Sequence, residues 1–361
     1  MIRLSSQNDT NTMNLDKKEE KIINLFLKKE RLKSSDVHSL IGGDKEVSLV
    51  SVKRVLSKLA DKGFLDIKGS GRSTSYEIST LGRIFADIDQ DDYLSVELDK
   101  RYGLKRYNFE LFSSFPLNLF TETEMNVLSD ATVEYERKTK DVSDVINKKE
   151  LERLIIEFSW KSSQIEGNTY SLLDTENLIL REIEAEGKTK EETQMILNHK
   201  NAFKFVYENK DLFGSVTKEN LKRVHKILVE GLNVSSEFRK SPVGISGSTY
   251  QPLDNVYQIE EAVEELSNLI EKIDCYYTKS LVSLLGISYI QVFDDGNKRT
   301  ARVLADAILL SGGYAPLSYR SVDPKKYKEA KLIFYELNSI VPFKKIFITQ
   351  YDFSARNYAL K

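Results

Sequence analysis

The sequence of 361 residues contains one cysteine, three histidines and six prolines. A single thiol, Cys275, excludes a disulfide scaffold and any site built from several cysteines. It is also typical of a reducing compartment, so we expect a cytoplasmic location. Three histidines argue against a histidine-based metal cluster. With so few prolines, long stretches keep a helical spacing of apolar residues, and the chain is predicted to be mainly α.

Long apolar runs are also absent. No run approaches the ~20 residues needed to span a bilayer, and the longest apolar stretch, at residues 281–293, carries polar side chains. The first residues lack the apolar core of a secretory signal. A Walker A loop, a G-x-G-x-x-G turn and an H-E-x-x-H helix are missing as well. We therefore expect no membrane partner, and these common catalytic signatures do not apply.

Charge is unevenly distributed along the chain. The net charge is −2, from 53 basic and 55 acidic residues. Residues 17–83 carry 15 Lys and Arg against 9 Asp and Glu, a net charge of +6, whereas the remainder is acidic. A small basic module ahead of a larger acidic body indicates nucleic-acid contact at the N-terminus.

The basic module has the pattern helix, helix, helix, hairpin. Apolar stripes predict helices near 19–30, 34–41 and 48–62, and alternating residues at 64–67 and 75–78 flank the turn GSGRST. This pattern resembles the winged helix-turn-helix domains of bacterial regulators, so we expect a small α+β domain over 17–85. It follows a flexible N-terminus, 1–16, and precedes a connector, 86–120, with a short strand or irregular packing.

The winged-helix resemblance implies a DNA-binding surface. The third helix would enter the major groove and place Lys53, Arg54 and Lys58 near phosphates or base edges, with Arg72 on the wing. The partner would be double-stranded DNA. A solvated helix face on a docking or dimerisation element is the alternative, because a fold does not fix a function.

A compact polar loop between two apolar helices lies in the C-terminal half, at residues 291–302. Gly296 permits a positive φ and close backbone approach, and the following helix begins with unpaired N–H groups. Lys298, Arg299 and Arg302 add positive charge, and Asp295 can hold a hard divalent cation. These features predict a phosphate site. A helix corner with a surface salt-bridge network is the alternative.

The loop resembles the Fic-family signature, H-x-F-x-[DE]-G-N-[GK]-R-x-x-R. The resemblance implies an all-helical core that transfers AMP from ATP to a hydroxyl of a target protein. Asp295 would hold Mg²⁺, and Phe293 would be a core anchor. The expected nucleotide-binding and phosphate-binding residues are Gly296, Asn297, Lys298, Arg299 and Arg302.

Two further segments resemble parts of the same family and extend the expected Fic domain over 121–361. The inhibitory helix, at about 150–168, carries Ser162, Glu166 and Gly167 in the pattern [ST]-x-x-x-E-[GN]; its glutamate would pair with Arg302 and block the γ-phosphate. A β-hairpin flap, at about 239–252, would dock a target segment by main-chain pairing. Its expected docking residues are Val243, Gly244, Ile245, Ser246 and Gly247.

The first signature position departs from the family, because Gln291 replaces the histidine that acts as base. A carboxamide has no proton-accepting pKa near neutrality. His225 is expected to be a core residue and His199 a helix-surface residue, so neither is expected to act as the base instead. Whether Asp294 can act as the base is left open. The second departure is Lys298, where glycine is commonest; it leaves the transferred group open.

Three functions are therefore carried forward. The first is an autoinhibited protein adenylyltransferase with chemistry impaired or altered by Gln291. The second is a catalytically inactive nucleotide sensor that regulates DNA binding. The third is a phosphotransferase or de-AMPylating variant. The target protein is unspecified, and a homodimer is left open.

Overall fold

A computed structural model describes residues 15–43 and 46–360, and these residues are mainly helical, as predicted. The predicted flexible N-terminus lies almost entirely outside the described residues. No helix among them combines the length and apolarity needed to cross a bilayer. The elements are α1 Lys17–Lys28, α2 Ser34–Leu40, α3 Leu49–Asp61, β1 Leu65–Lys68, β2 Ser75–Ile78, α4 Thr80–Ile84, α5 Gln90–Ser95, α6 Leu111–Ser114, α7 Glu122–Thr139, α8 Asp144–Ile165, α9 Leu172–Arg181, α10 Lys190–Glu208, α11 Lys218–Leu228, α12 Val256–Lys272, α13 Tyr276–Ile290, α14 Asn297–Ser311, α15 Pro324–Leu337 and α16 Val341–Asn357.

The chain divides into two compact units. The first contains the described residues within Met1–Thr121, together with Ile245–Gln251 and Glu329–Phe343. The second contains Glu122–Gly244, Pro252–Lys328 and Lys344–Lys361.

The first unit begins with the three helices and the hairpin that the sequence predicts. The side chain of Asp16 caps α1 and that of Ser48 caps α3, each by accepting backbone N–H groups of the first turn. The strands pair antiparallel, with Leu65 opposite Ile78. A short 3-10 turn, Gly71–Ser73, forms the tip of the hairpin. Buried faces of α1 and α3 supply the apolar core, from Ile22, Ile23, Phe26, Val52, Leu56 and Leu59.

The segment 86–120 is part of the first unit and is mostly irregular, with short helices at Gln90–Ser95 and Leu111–Ser114 and no short strand. Tyr93 on α5 donates its hydroxyl to the Glu336 carboxylate at 2.7 Å. Arg101 lies 3.7 Å from the same carboxylate, which is buried. These contacts join the segment to the 329–343 portion of the first unit, and they were not visible in the local pattern.

The second unit is built around α13 and α14. Every residue of α13 from Tyr277 to Ile290 except Lys279 is buried, because the helix is apolar on most of its surface. The two helices pack against each other, and the Ser280 hydroxyl donates to the Ala305 carbonyl at 2.9 Å. Helix α8 packs on α10, which contacts α14 in turn.

The predicted flap segment turns at Ser246 and Gly247 but has no strand ladder. The turn is closed by the Ser248 N–H, which donates to the Ile245 carbonyl at 3.1 Å. Backbone groups near both ends bond elsewhere: the Arg239 N–H donates to Val292 and the Gln251 N–H to Lys105. Pro242 and Pro252 have no N–H to contribute. Val243 and Gly244 belong to the second unit, whereas Ile245, Ser246 and Gly247 belong to the first.

Candidate functional site

The loop between α13 and α14 has two residues with positive φ. Gln291 ends α13 with φ 53°, and Gly296 precedes α14 with φ 77°. A Cβ at Gly296 would lie 3.0 Å from Cε1 of His225 and 3.3 Å from Cγ1 of Val229. Glycine is therefore required by both conformation and space. No side chain of Gly296 can cap α14, so the N–H groups of its first turn are left to a ligand or solvent.

Asn297 holds the loop closed. Its Oδ1 accepts the Phe293 N–H at 2.8 Å, and its Nδ2 donates to the Phe293 carbonyl at 2.7 Å. The same Nδ2 lies 3.2 Å from Oε1 of Gln291. Gln291 donates its Nε2 to the Ser288 carbonyl at 2.5 Å and is only 7% exposed. The Gln291 carboxamide is thus engaged within the loop at both ends.

Arg239 anchors the same loop and was missed as a site residue. It is 1% exposed and donates its Nε to the Gln291 carbonyl at 2.5 Å. Its other nitrogens donate to the carbonyls of Ser241, at 2.9 Å, and Leu253. Three carbonyl partners account for its burial. In the sequence, its one signal was its place at the start of the predicted flap.

Arg299 points a buried guanidinium at the loop. Its Nη2 donates to Oδ2 of Asp295 at 2.9 Å, with the arginine side chain 4% exposed and the aspartate 69% exposed. Its Nη1 is buried and has no hydrogen-bond partner. Burial lowers the pKa of Arg299, and the carboxylates of Asp295 and Glu166 partly offset this. A buried donor without a partner is costly, and an acceptor that binds there would remove this cost.

Arg302, one turn later, is fully buried and held by the last turn of α8. Its Nη1 donates to Oε1 of Glu166 at 2.7 Å. Its Nε donates to the Ser162 hydroxyl at 2.8 Å and its Nη2 to the Ser162 carbonyl at 2.9 Å. The ring of Tyr327 lies 5.9 Å from the guanidinium carbon. Burial alone would lower the pKa of Arg302, but Glu166 outweighs it and the pKa is raised.

His199 is fully buried, so the expectation of a helix-surface residue was wrong. It lies on the apolar stripe of α10 that also contains Ile196, Phe203 and Val206. Its hydrophilic neighbours Lys200 and Asn201 hid this spacing. Burial lowers the pKa of His199 to about 3, with the positive charge of Arg299 contributing.

His225 is buried, as expected, and stacks on Phe293 at 3.5 Å between ring centroids. Its Nδ1 lies 3.1 Å from the Thr300 hydroxyl and its Nε2 3.2 Å from the Ser235 carbonyl. Burial lowers its pKa to about 4. The contacts of the His225 ring therefore support the loop, and His225 does not replace the missing base.

Two charged residues of the loop are accessible to solvent: Asp294 is exposed and Lys298 is half-exposed.

Asp295 is a solvent-exposed carboxylate of the loop and is bonded to Arg299. Among residues 15–43 and 46–360, no cluster of three or more His, Cys, Asp or Glu side chains could hold a metal alone. Mg²⁺ is commonly bound by one or two carboxylates together with substrate phosphates. Asp295 therefore fits a metal that arrives with a phosphate ligand.

The basic face of the N-terminal domain is only partly available. Lys53, Arg54 and Arg72 are exposed. Lys58 is exposed too, but its Nζ lies 2.7 Å from Oε1 of Glu19, whose side chain is 2% exposed. Glu19 falls on the same helical stripe as the buried apolar residues of α1, which is the sequence signal that could have revealed the pair.

Comparison with protein families identifies both regions. Residues 215–309 match the sequence model of the Fic/DOC family, and residues 15–98 match that of the penicillinase repressor family. The first match includes α11, α13 and the loop 291–302. The second covers the three helices and the hairpin.

Curated relatives of the Fic region are distant. A protein adenylyltransferase Fic from Aedes aegypti is 26% identical over 178 residues, 48% of this chain and 35% of the relative. One from Nematostella vectensis is 26% identical over 197 residues, 50% of this chain and 44% of the relative. The chain thus spans less than half the length of these relatives.

Solved structures share the fold. A Fic domain containing signaling protein from Bacteroides thetaiotaomicron aligns with a TM-score of 0.54 and 16% identity, over 63% of this chain and 94% of that chain. A Fic family protein from Desulfovibrio desulfuricans aligns with a TM-score of 0.54 and 18% identity, over 67% and 75%. Residues 215–309 thus match the Fic/DOC family and the fold is that of Fic domains, C-terminal in sequence to a region of the winged-helix type.

Proposed function

We propose that the loop 291–302 binds ATP with Mg²⁺ and that Glu166 opposes productive binding. The chain is then an autoinhibited Fic protein of the adenylyltransferase type, with chemistry slowed by Gln291. One observation carries the proposal: Arg302 is neutralised by Glu166 while the adjacent Arg299 keeps a buried donor without a partner. Two buried guanidinium groups with one internal carboxylate suit a ligand with several anionic oxygens.

Each group of the loop has a separate role in this proposal. The first-turn N–H groups of α14 donate hydrogen bonds to an anion, and Gly296 lets the anion approach the backbone. Lys298, Arg299 and Arg302 donate to phosphate oxygens, and Asn297 keeps the loop in shape. Asp295 would hold Mg²⁺, which supplies charge neutralisation of the phosphates when bound.

Transfer of AMP requires a proton to leave the attacking hydroxyl. The hydroxyl oxygen bonds to the α-phosphorus, the bond to the bridging oxygen breaks, and pyrophosphate departs. Gln291 cannot take the proton, and its carboxamide is already bonded to Ser288 and Asn297. Loss of a general base costs typically ~10²–10⁴ in rate. We therefore expect slow transfer even when Glu166 is removed.

Transfer of label from α-³²P-ATP to lysate proteins tests this proposal. Glu166→Gly is compared with Glu166→Gly/Gln291→His, each with Mg²⁺ and with Arg302→Ala as the inactive control. We expect weak labelling with Glu166→Gly and labelling about 10²–10⁴-fold faster with Glu166→Gly/Gln291→His. Label that persists in the Arg302→Ala control, or equal label with and without histidine, would contradict the proposal.

The second candidate function is a nucleotide-sensing regulator of DNA binding. The exposed cations of the third helix and the match to a repressor family support it. The Gln291 carboxamide also supports it, because its bonds to Ser288 and Asn297 leave a loop that can bind a nucleotide but has no catalytic base. A gel-shift assay with random double-stranded DNA, with and without ATP, tests this function. An affinity that changes with ATP while no label is transferred would favour the sensor over the transferase.

The proposal also covers how a target is docked and which group is transferred. The turn from Val243 to Gly247 would dock a segment of an unidentified target protein. Lys298 adds a charge that could redirect the nucleotide towards phosphoryl transfer, and Glu166 with Mg²⁺ could position water for removal of AMP. Using γ-³²P-ATP beside α-³²P-ATP separates phosphoryl transfer, which retains the γ-label, from AMP transfer, which retains the α-label. Removal of AMP is measured as release of label from a protein that was labelled with α-³²P-AMP beforehand.

A further inference from the structure

A chain of hydrogen bonds runs from the backbone of α10 to Arg302. Nδ1 of His199 lies 2.8 Å from the Met195 carbonyl, and Nε2 lies 2.8 Å from the Ser162 hydroxyl. The Ser162 hydroxyl in turn lies 2.8 Å from Nε of Arg302. All three side chains are fully buried. The guanidinium is therefore connected to a helix that carries none of the signature residues.

The donors and acceptors of this chain can be assigned from chemistry alone. A carbonyl only accepts, so Nδ1 of His199 carries the proton and donates to Met195. The neutral ring then has a lone pair on Nε2, and the Ser162 hydroxyl must donate to it. The Ser163 hydroxyl, 3.2 Å from Nδ1, is a second acceptor of the same proton. Because the Ser162 hydroxyl donates its proton to His199, its oxygen accepts a hydrogen bond from Arg302.

The contacts divide the Arg302 guanidinium into two edges. Nε and Nη2 rest on the hydroxyl and carbonyl of Ser162, whereas Nη1 faces Glu166. Only the Nη1 contact is lost when Glu166 withdraws. The Ser162 edge keeps the group in place, so its free edge stays directed at whatever replaces the carboxylate.

We propose that His199 is a positioning residue for the outer phosphate of the nucleotide, acting through Ser162 to hold Arg302 in a fixed orientation. The inference rests on the proposed function. It adds a residue that lies outside the signature loop, the inhibitory helix and the flap. Without the ring acceptor, the Ser162 hydroxyl would turn to the carbonyl four residues earlier on α8, as helical serines do. Arg302 would then lose a well-aligned acceptor.

A purely structural role for His199 makes a different prediction. The ring packs edge-on against Phe158 at 6.0 Å, so His199→Phe fits the aromatic surroundings while removing the acceptor. A packing residue would affect every ligand equally. A positioning residue affects only ligands that reach Arg302, which separates ATP from AMP.

Calorimetric affinities for ATP and AMP, with Mg²⁺, test the inference in a Glu166→Gly background. Adding His199→Phe should weaken ATP binding about fivefold, the loss of one hydrogen bond, and leave AMP binding unchanged. Ser162→Ala should do the same, and the double substitution should cost no more than either. Asn201→Ala, exposed on the same helix, is the control with no effect.

An unchanged ratio of ATP to AMP affinity in His199→Phe would overturn the inference alone. Failure of Glu166→Gly to bind ATP would remove the proposed function, and the positioning role with it. A second measurement needs no nucleotide: ¹⁵N spectra of the wild-type histidines should show His199 neutral with its proton on Nδ1. A proton on Nε2 would break the chain and contradict the assignment.

Discussion

The chemistry of the site depends on how two buried arginines are neutralised. Arg302 has an internal carboxylate at 2.7 Å, and Arg299 has the exposed Asp295 at 2.9 Å and one nitrogen without a partner. Removing a partner from a buried ion pair costs about 3–5 kcal/mol. The interior therefore favours either Glu166 or an anionic ligand beside Arg302, and this competition is the physical basis of the proposed inhibition.

Two buried histidines predict acid sensitivity of the fold. Burial lowers the pKa of His199 to about 3 and that of His225 to about 4, against 6.5 when unfolded. The unfolded chain therefore binds more protons below pH 6.5, and stability falls as the pH drops through the range 6.5 to 4. Chemical denaturation at several pH values should show this loss.

The variant His199→Phe isolates one contribution to that slope. Below about pH 6 it should flatten the dependence of the unfolding free energy by up to ~1.4 kcal/mol per pH unit, one proton fewer being taken up. Asn201→Ala should leave the slope as in the wild type. An identical slope in His199→Phe would show that folding does not lower the pKa of this ring.

Among single residues, the sequence predicts those that belong to a motif better than it predicts which polar side chains are buried. Arg299, Arg302 and Glu166 were placed by a local pattern and its family resemblance, and the structure brings them together. Burial of His199 and Glu19 depends on which helix covers their faces. The spacing of both residues along their helices was readable from the sequence, but His199 was expected at the helix surface because polar residues follow it.

Among the elements of the site, the turn into α14 is constrained both by its backbone conformation and by its neighbours. Gly296 has φ 77°, and a Cβ there would press on His225 at 3.0 Å. Gly296→Ala should lower the free energy of unfolding by at least about 1 kcal/mol and abolish nucleotide binding. Thermal unfolding and calorimetry measure both effects.

Gly214→Ala is the matched control for that substitution. Its φ is −62°, and an added Cβ meets nothing within 4 Å. We expect no loss of stability and unchanged nucleotide affinity. Equal destabilisation by the two substitutions would mean that the turn is not specially constrained.

Helix positions followed from spacing and caps, whereas irregular segments did not. The predicted helices of the N-terminal domain match α1, α2 and α3 to within a few residues. The flap lacks a ladder, because Arg239 and Gln251 give their N–H groups to partners distant in sequence. Such partners are set by tertiary packing, and no local rule reveals them.

On the scale of the whole molecule, a basic N-terminal domain and an acidic remainder predict salt-sensitive DNA binding. Affinity for double-stranded DNA should fall steeply with salt. Lys53→Ala should reduce the logarithmic salt slope by about 1. Fluorescence anisotropy over a salt series measures this, and a flat response would identify a protein-docking domain instead.

Lys58→Ala provides the contrast within the same helix. Because Lys58 pairs with the buried Glu19, its removal should destabilise the domain more than Lys53→Ala does, and change the salt slope less. Thermal unfolding and the same salt series separate the two effects. The opposite ranking would show that Lys58 contacts DNA in preference to Glu19.

The central claim is that Glu166 competes with a nucleotide for Arg302, and isothermal calorimetry with Mg²⁺ tests it most directly. ATP and AMP are titrated into the wild type, Glu166→Gly and the isosteric Glu166→Gln. We predict that both variants bind ATP more tightly than the wild type, while AMP affinity stays the same. Equal ATP affinity in all three proteins would contradict the account.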